Sequence, residues 1–178
     1  MAEIKSAIEL AMEKTKDLHL SREEREKLKE EEMHSKAHSL VTRFLEVDFH
    51  LKEVEKELAR YDSDQRKKME GLVLQYLADA IQLDRDNDLA LQGIEAFRGE
   101  SKALMGTMRE LIEGYQEEKK KEYEKIKSSL GSKLQGLGIS GSAVDPKVQG
   151  SPEWDNALAQ FKPTFEEQLR RLREDLRK

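Results

Sequence analysis

An all-α fold is what this sequence predicts: long helices in an antiparallel hairpin or bundle with coiled-coil character, and a docked C-terminal helix. Three observations predict it. Met33, Ala37, Leu40, Phe44, Val47, Leu51, Val54, Leu58 and Tyr61 follow one another at strict 4-3-4-3 spacing, so all nine line one stripe of a helix. Charged residues (39%) outnumber hydrophobic ones (37%) and aromatics are only 6%, which suits an elongated helical protein with a narrow core. Two sites carry strong helix-start signals. Ser21-Arg22-Glu23-Glu24 is a capping box, and Ser151-Pro152-Glu153 pairs a Ser cap with Pro at the first helical position and an acid at the positive end of the helix dipole.

Residues 3–18 read as a short amphipathic helix with Ile4, Ala7, Ile8 and Ala11 on one face and Met12 beside it. Leu18-His19-Leu20 then connects it to the helix that begins after Ser21. That helix is expected to run to about Tyr61, roughly 60 Å at 1.5 Å per residue. Its first stretch, Arg22 to Glu32, has only Leu28 as an apolar residue. Asp62-Ser63-Asp64 supplies stop and cap residues. The helix that follows, about 64–83, has the broad apolar face of an element with more than one neighbour: Met69, Leu72, Val73, Tyr76, Leu77, Ala80 and Ile81. As the antiparallel partner of the long helix it would reach only to about Leu40, leaving Met33 and Ala37 to be covered by the C-terminal helix with Trp154, Phe161 and Phe165 or, the favoured reading, by a second chain. Self-association as a dimer is therefore expected.

After a break at Asp84-Arg85-Asp86-Asn87-Asp88, a third long helix is expected from about 88 to 129. Ile94, Phe97, Leu104, Met108, Leu111 and Tyr115 form its large apolar stripe, interrupted by Ser101. Ala96, Gly99, Ala103 and Gly106 form a second stripe about 200° away, with Gly93 and Gly114 nearby. Two glycines at one heptad position, each costing about 1 kcal/mol against Ala, suggest close approach of another backbone. Residues 1–129 thus form the helical body, and 130–151 a loop holding Gly136-Leu137-Gly138-Ile139-Ser140-Gly141-Ser142. Its scattered Leu134, Leu137, Ile139, Val144 and Val148 predict that part of it lies ordered along the body. Residues 152–178 carry Trp154, Leu158, Phe161, Phe165, Leu169, Leu172 and Leu176, a docking helix expected to kink or split near Pro163.

Composition removes several classes of chemistry. Without cysteine the chain forms no disulfide, thiolate nucleophile, zinc finger or iron–sulfur site of its own. With 32 basic and 37 acidic residues, a net charge of −5 argues against a nucleic-acid binder, and Lys119-Lys120-Lys121 is bracketed by acids. Apolar runs such as Leu72-Val73-Leu74 are far too short to span a membrane. Met1-Ala2-Glu3-Ile4-Lys5 lacks a basic segment followed by an apolar one, so no secretory signal is expected and the expected setting is cytoplasmic.

Two clusters have metal-ligand spacing. Asp84-x-Asp86-x-Asp88, counted as the start of an EF-hand loop, puts Glu95 at the twelfth position, but Leu89 stands where the turn needs Gly. The stretch Leu83 to Leu91 also resembles the junction between tetratricopeptide repeats, with Arg85 replacing the usual Pro. No 34-residue recurrence accompanies it. Both likenesses reduce to a capped helix–turn–helix joint. His34 and His38 share one helix face, with Glu31 three residues before His34, a spacing used for zinc and in di-iron proteins; a di-iron site needs a second such motif, which the chain lacks. The Gly136-x-Gly138-x-x-Gly141 run follows a helix rather than a strand and is not a dinucleotide fingerprint. No Gly-x-Ser-x-Gly or similar nucleophile motif occurs, and no cofactor is implied.

Ala2-Glu3-Ile4-Lys5-Ser6-Ala7, and Gly138-Ile139-Ser140-Gly141-Ser142-Ala143-Val144 with Trp154, resemble stretches of uncharacterised bacterial all-helical proteins. The resemblance implies a bacterial cytoplasmic setting and no activity. The function expected from the residues is non-catalytic: a scaffold or adaptor acting through helix pairing. A helical regulator answering calcium at Asp84 or zinc at His34 and His38 is the alternative.

Overall fold

A computed structural model describes residues 21–46, 49–98, 102–139, 141 and 144–177. They form α1 (Arg22–Leu45), α2 (Leu51–Leu58), α3 (Ser63–Ala80), α4 (Asp88–Phe97), α5 (Lys102–Gly136) and α6 (Pro152–Arg177). No strand occurs among the described residues. The expected amphipathic helix at 3–18 lies outside them, as do Val47 and Gly99.

Local chemistry starts the helices where the sequence signals stand. The Ser21 hydroxyl accepts from the Glu24 amide at 3.1 Å while the Glu24 carboxylate accepts from the Ser21 amide at 2.7 Å. Asp62 accepts from the amides of Asp64 (3.1 Å) and Gln65 (2.9 Å), and the Ser151 hydroxyl from that of Trp154 (3.2 Å).

The helix expected to run unbroken from Ser21 to Tyr61 is interrupted. α1 ends at Leu45 with Glu46 as its cap, and α2 restarts at Leu51, where the His50 amide donates to the Glu53 carboxylate at 2.7 Å. Phe49 fills the turn: it packs against the core, with the Arg43 guanidinium 3.9 Å above its ring. The reason is burial. A straight helix would carry Val54 about 25 Å beyond Ala37, whereas the break folds both Val54 and Leu58 into the same core as Ala37, Leu40 and Phe44.

The break also changes direction. One groove brings Glu26, Lys29 and Met33 of α1 beside Asp64, Lys68 and Leu72 of α3. Further along both helices His34 and His38 meet Tyr76, and further still Phe44 and Leu77 both reach Gly93 of α4. Contacts advance together, so α1 and α3 run parallel, with α2 returning the chain between them. The long antiparallel pair is formed instead by α5 and α6: Lys133 meets Glu153, Tyr123 meets Trp154, and Tyr115 meets Phe161 and Phe165.

The single helix expected over about 88–129 is two, α4 ending at Phe97 with Arg98 as its cap and α5 starting at Lys102, and α5 extends seven residues past the expected boundary at 129, to Gly136. Gly138 (φ 79°) and Gly150 (φ 78°) then supply left-handed turns that a side chain disfavours. Between them Val148 is buried, while Lys127 holds Asp145 at 2.8 Å. α6 is continuous through Pro163 and is not split. Pro163 and Ala159, whose carbonyl loses its partner, are both exposed, so the missing bond falls on the solvent side of the helix rather than in the core.

The apolar residues fall into two cores. The larger draws on all six helices, and the smaller holds Ile126, Val148 and Trp154 with Tyr123, Leu130 and Leu158 around them. The second core belongs to α5, the loop and the start of α6 alone, which makes that end of the α5–α6 pair an arm. At 35 residues, α5 is about 52 Å long. α6 ties arm to body: its Trp154 sits in the arm core, its Leu169 and Leu176 in the main one.

Candidate functional site

The heptad seam is the first place to look for an interaction surface, and most of it faces inward. Ala37, Leu40, Phe44, Val54 and Leu58 are buried within the chain, while Met33, Leu51 and Tyr61 are partly buried against the same core. Among its described residues, the seam therefore offers a second chain just its partly buried members, Leu51 in the middle and Met33 and Tyr61 at the ends.

Those ends border an open groove of about 850 Å³ between the first halves of α1 and α3. Met33, Tyr61 and Leu72 give it an apolar floor, with Glu26, Lys29, Glu30 and Lys68 on its walls. A Cβ built on Gly71, also in the groove, would meet nothing within 4 Å. Leu28, on the same stretch of α1, is 44% exposed. At the inner end of the groove the two histidines surround one ring: His34 Nδ1 lies 3.1 Å from the Tyr76 hydroxyl, and the His38 ring stands edge-on to Tyr76 at 5.1 Å. His34 and His38 thus share a tyrosine, and Glu31 is exposed on α1.

The Asp84 joint is a knot of ion pairs. Lys119 Nζ lies 2.6 Å from Asp84 Oδ1 and Lys162 Nζ 2.7 Å from Oδ2, while the Tyr115 hydroxyl donates to Oδ1 at 2.9 Å. Burial alone would raise the Asp84 pKa; the hydrogen bonds from Lys119, Lys162 and Tyr115 outweigh it and hold the carboxyl at about 2. Burial first, then the bond to and charge of Asp84, push the Tyr115 phenol well above its ordinary value, so it stays a donor. One carboxylate thereby joins the α3–α4 turn to α5 and α6.

The remaining members of the calcium spacing point elsewhere. Asp86 accepts from the Asp88 amide at 2.9 Å, and Glu95 pairs with Arg109 at 2.7 Å. Buried Asn87 fastens the turn, accepting from the Gln82 amide and donating to the Gln82 and Arg85 carbonyls. No group of three or more His, Asp or Glu among the described residues is arranged to hold a metal ion. Beside the knot, a hollow of about 470 Å³ sets Lys162, Arg170 and Arg173 against Asp79, Asp84 and Glu166, so neither sign of charge prevails.

The described members of the small-residue stripe are not where backbones approach. A Cβ at Gly106 would meet nothing within 4 Å, and Ala96 and Ala103 are exposed. Gly93 is the close contact: its Cβ would stand 2.9 Å from Leu77 Cδ1 and 3.0 Å from Phe44 Cε1. Trp154 lies in the arm core, and Phe161 and Phe165 pack on Tyr115. Sequence reasoning missed Tyr76, Lys119 and Lys162 as partners. Tyr115 and Lys119 are four apart and share a helix face, but nothing local connects them to Asp84, 31 residues before Tyr115.

No protein-family model, curated protein or solved structure matches this chain. No helix among the described residues is long and apolar enough to cross a membrane.

Proposed function

We propose that this protein is a non-catalytic helical adaptor that pairs with amphipathic helices through the groove between α1 and α3. The observation that carries this reading is the groove itself: an apolar floor of Met33, Tyr61 and Leu72 between walls of mixed charge, open along one side. An amphipathic helix fits such a surface by laying its apolar stripe on the floor and its charged flanks against the walls. The Asp84 knot supports the same reading, because its carboxylate is held ionised by two lysines and is engaged in joining segments. A homodimer, expected from the seam, would use this groove, which the seam's Met33 and Tyr61 ends border.

The test is fluorescence anisotropy with a labelled synthetic amphipathic helix of Leu, Lys and Glu, using the full chain. Met33→Glu with Leu72→Glu places charge on the partly buried floor. It should abolish binding while leaving the chain helical, at a lower melting temperature because both side chains pack partly against the core. Equal binding by the double variant would overturn the proposal, and light scattering on the same samples reads whether any self-association is lost with it.

A further inference from the structure

We infer that the groove between α1 and α3 receives the arm tip of a second copy of this chain, the last turn of α5 with Leu137 and Ile139. This rests on the reading of the groove as a helix-pairing surface, and names the partner.

The tip is a built feature. α5 ends in a Schellman cap: the Gly138 amide donates to the Gln135 carbonyl and the Ile139 amide to the Leu134 carbonyl, both at 2.9 Å, with Gly138 at φ 79°. The backbone groups at the helix end are thus paired locally, so little is lost when water leaves them. The side chains are another matter. Leu137 is 75% exposed and Ile139 49%, and both stand outside the arm core of Ile126, Val148 and Trp154. From Leu134 to Ile139 no residue is charged, in a chain where 39% are. The result is an ordered apolar knob.

The groove is the matching hollow, with its floor of Met33, Tyr61 and Leu72 and open space above Gly71. Knob and groove lie at opposite ends of the molecule. α6 runs antiparallel to α3, because Lys162 meets Asp84 just past α3 while Arg173 and Arg177 reach back to Ile81 and Asp79. The tip therefore projects about 25 Å beyond Lys119 at the Asp84 joint, while Leu72 lies about 13 Å back along α3 from Ile81. A chain cannot place its own tip in its own groove. Two chains laid antiparallel fill both grooves with both tips, and such a pair closes on itself.

Charge favours the same partner. Around the tip Lys125, Lys127, Lys133 and Lys147 outnumber Asp145 and Glu153, although the whole chain is acidic. The groove lining carries four carboxylates against three lysines. A partner of this kind also sets a threshold, since an outside helix must displace the tip before it binds.

The absence of native cysteine and the open position of Gly71 make the test direct. Full-length Gly71→Cys chains mixed with Leu137→Cys chains should form a mixed disulfide under mild oxidation, whereas neither variant alone should cross-link. In light scattering the wild type should be a dimer, and Leu137→Asp with Ile139→Asp a monomer of unchanged helicity. A tip that fills the groove nine-tenths of the time lowers apparent affinity for the synthetic helix about tenfold, so this tip variant should bind it about tenfold tighter. A monomeric wild type with no mixed disulfide would overturn the inference. The groove reading would then stand if the synthetic helix still binds through Met33 and Leu72, and fall with the inference if it does not. Wild-type binding to phosphatidylserine vesicles that the tip variant loses, with no mixed disulfide, would overturn the inference and assign the knob to a lipid surface.

Discussion

Gly93→Ala adds a single carbon where α4 crosses α1 and α3, and its effect can be worked from the distances. The new Cβ would lie 2.9 Å from Leu77 Cδ1, 3.2 Å from Leu77 Cδ2 and 3.0 Å from Phe44 Cε1, all inside ordinary contact. Both neighbours are fully packed: Leu77 is 0% exposed and Phe44 5%. They cannot swing into solvent to make room. Ala is the better helix former by about 0.5–1 kcal/mol, but overpacking a dense core costs about 1–3 kcal/mol. The expected net result is destabilisation by about 1 kcal/mol, or roughly 2–4 °C in melting temperature for a chain of this size. Urea unfolding followed by circular dichroism measures it. A double-mutant cycle identifies the cause: Leu77→Ala should cost less in the Gly93→Ala background than in wild type, with a coupling of about 0.5–3 kcal/mol. Stabilisation by Gly93→Ala, or strict additivity with Leu77→Ala, would refute the reasoning.

Gly106→Ala should do the opposite and stabilise by about 0.5–1 kcal/mol in the same urea assay, because a Cβ there meets nothing within 4 Å. Asp84 has its carboxyl lowered from 3.8 to about 2, so its contribution is present above pH 3.8 and is lost as pH falls towards 2. Stability measured across that window should fall less steeply in Asp84→Asn. The change will be small because the carboxylate is 37% exposed and screened, and Glu167, also lowered to about 2, keeps titrating in the variant. Trp154, the chain's only tryptophan, sits in the small arm core with Ile126 and Val148. Unfolding followed by its fluorescence should precede unfolding followed by circular dichroism, and coincident transitions would show that arm and body melt as one unit.

What was legible in the sequence was whatever is decided within a few residues along the chain. The Ser21 capping box, the Asp62 cap and the Ser151-Pro152 start depend on groups three or four positions apart, and all three stand where the pattern put them. The all-helical class follows from the same local periodicity, as does the inward facing of Ala37, Leu40, Phe44, Val54 and Leu58. Periodicity names a buried face without naming its partner. It gave no sign that the stripe would break at Glu46–His50, since the break is favoured by burying Phe49, Val54 and Leu58 in a core built by α3 and α4. The parallel course of α1 and α3, and the assignment of the long antiparallel pair to α5 and α6, follow from that choice. Glycine spacing on one helix likewise cannot tell open space at Gly106 from a 2.9 Å contact at Gly93, because the difference lies in Leu77 and Phe44 on other helices. Asp84 looked like a capping acid or a calcium ligand for the same reason. Its lysines come from positions 35 and 78 residues later in the chain. Only the packing that brings α5 and α6 against the α3–α4 turn makes them neighbours, because ion pairing across the chain is a product of tertiary structure and leaves no local mark.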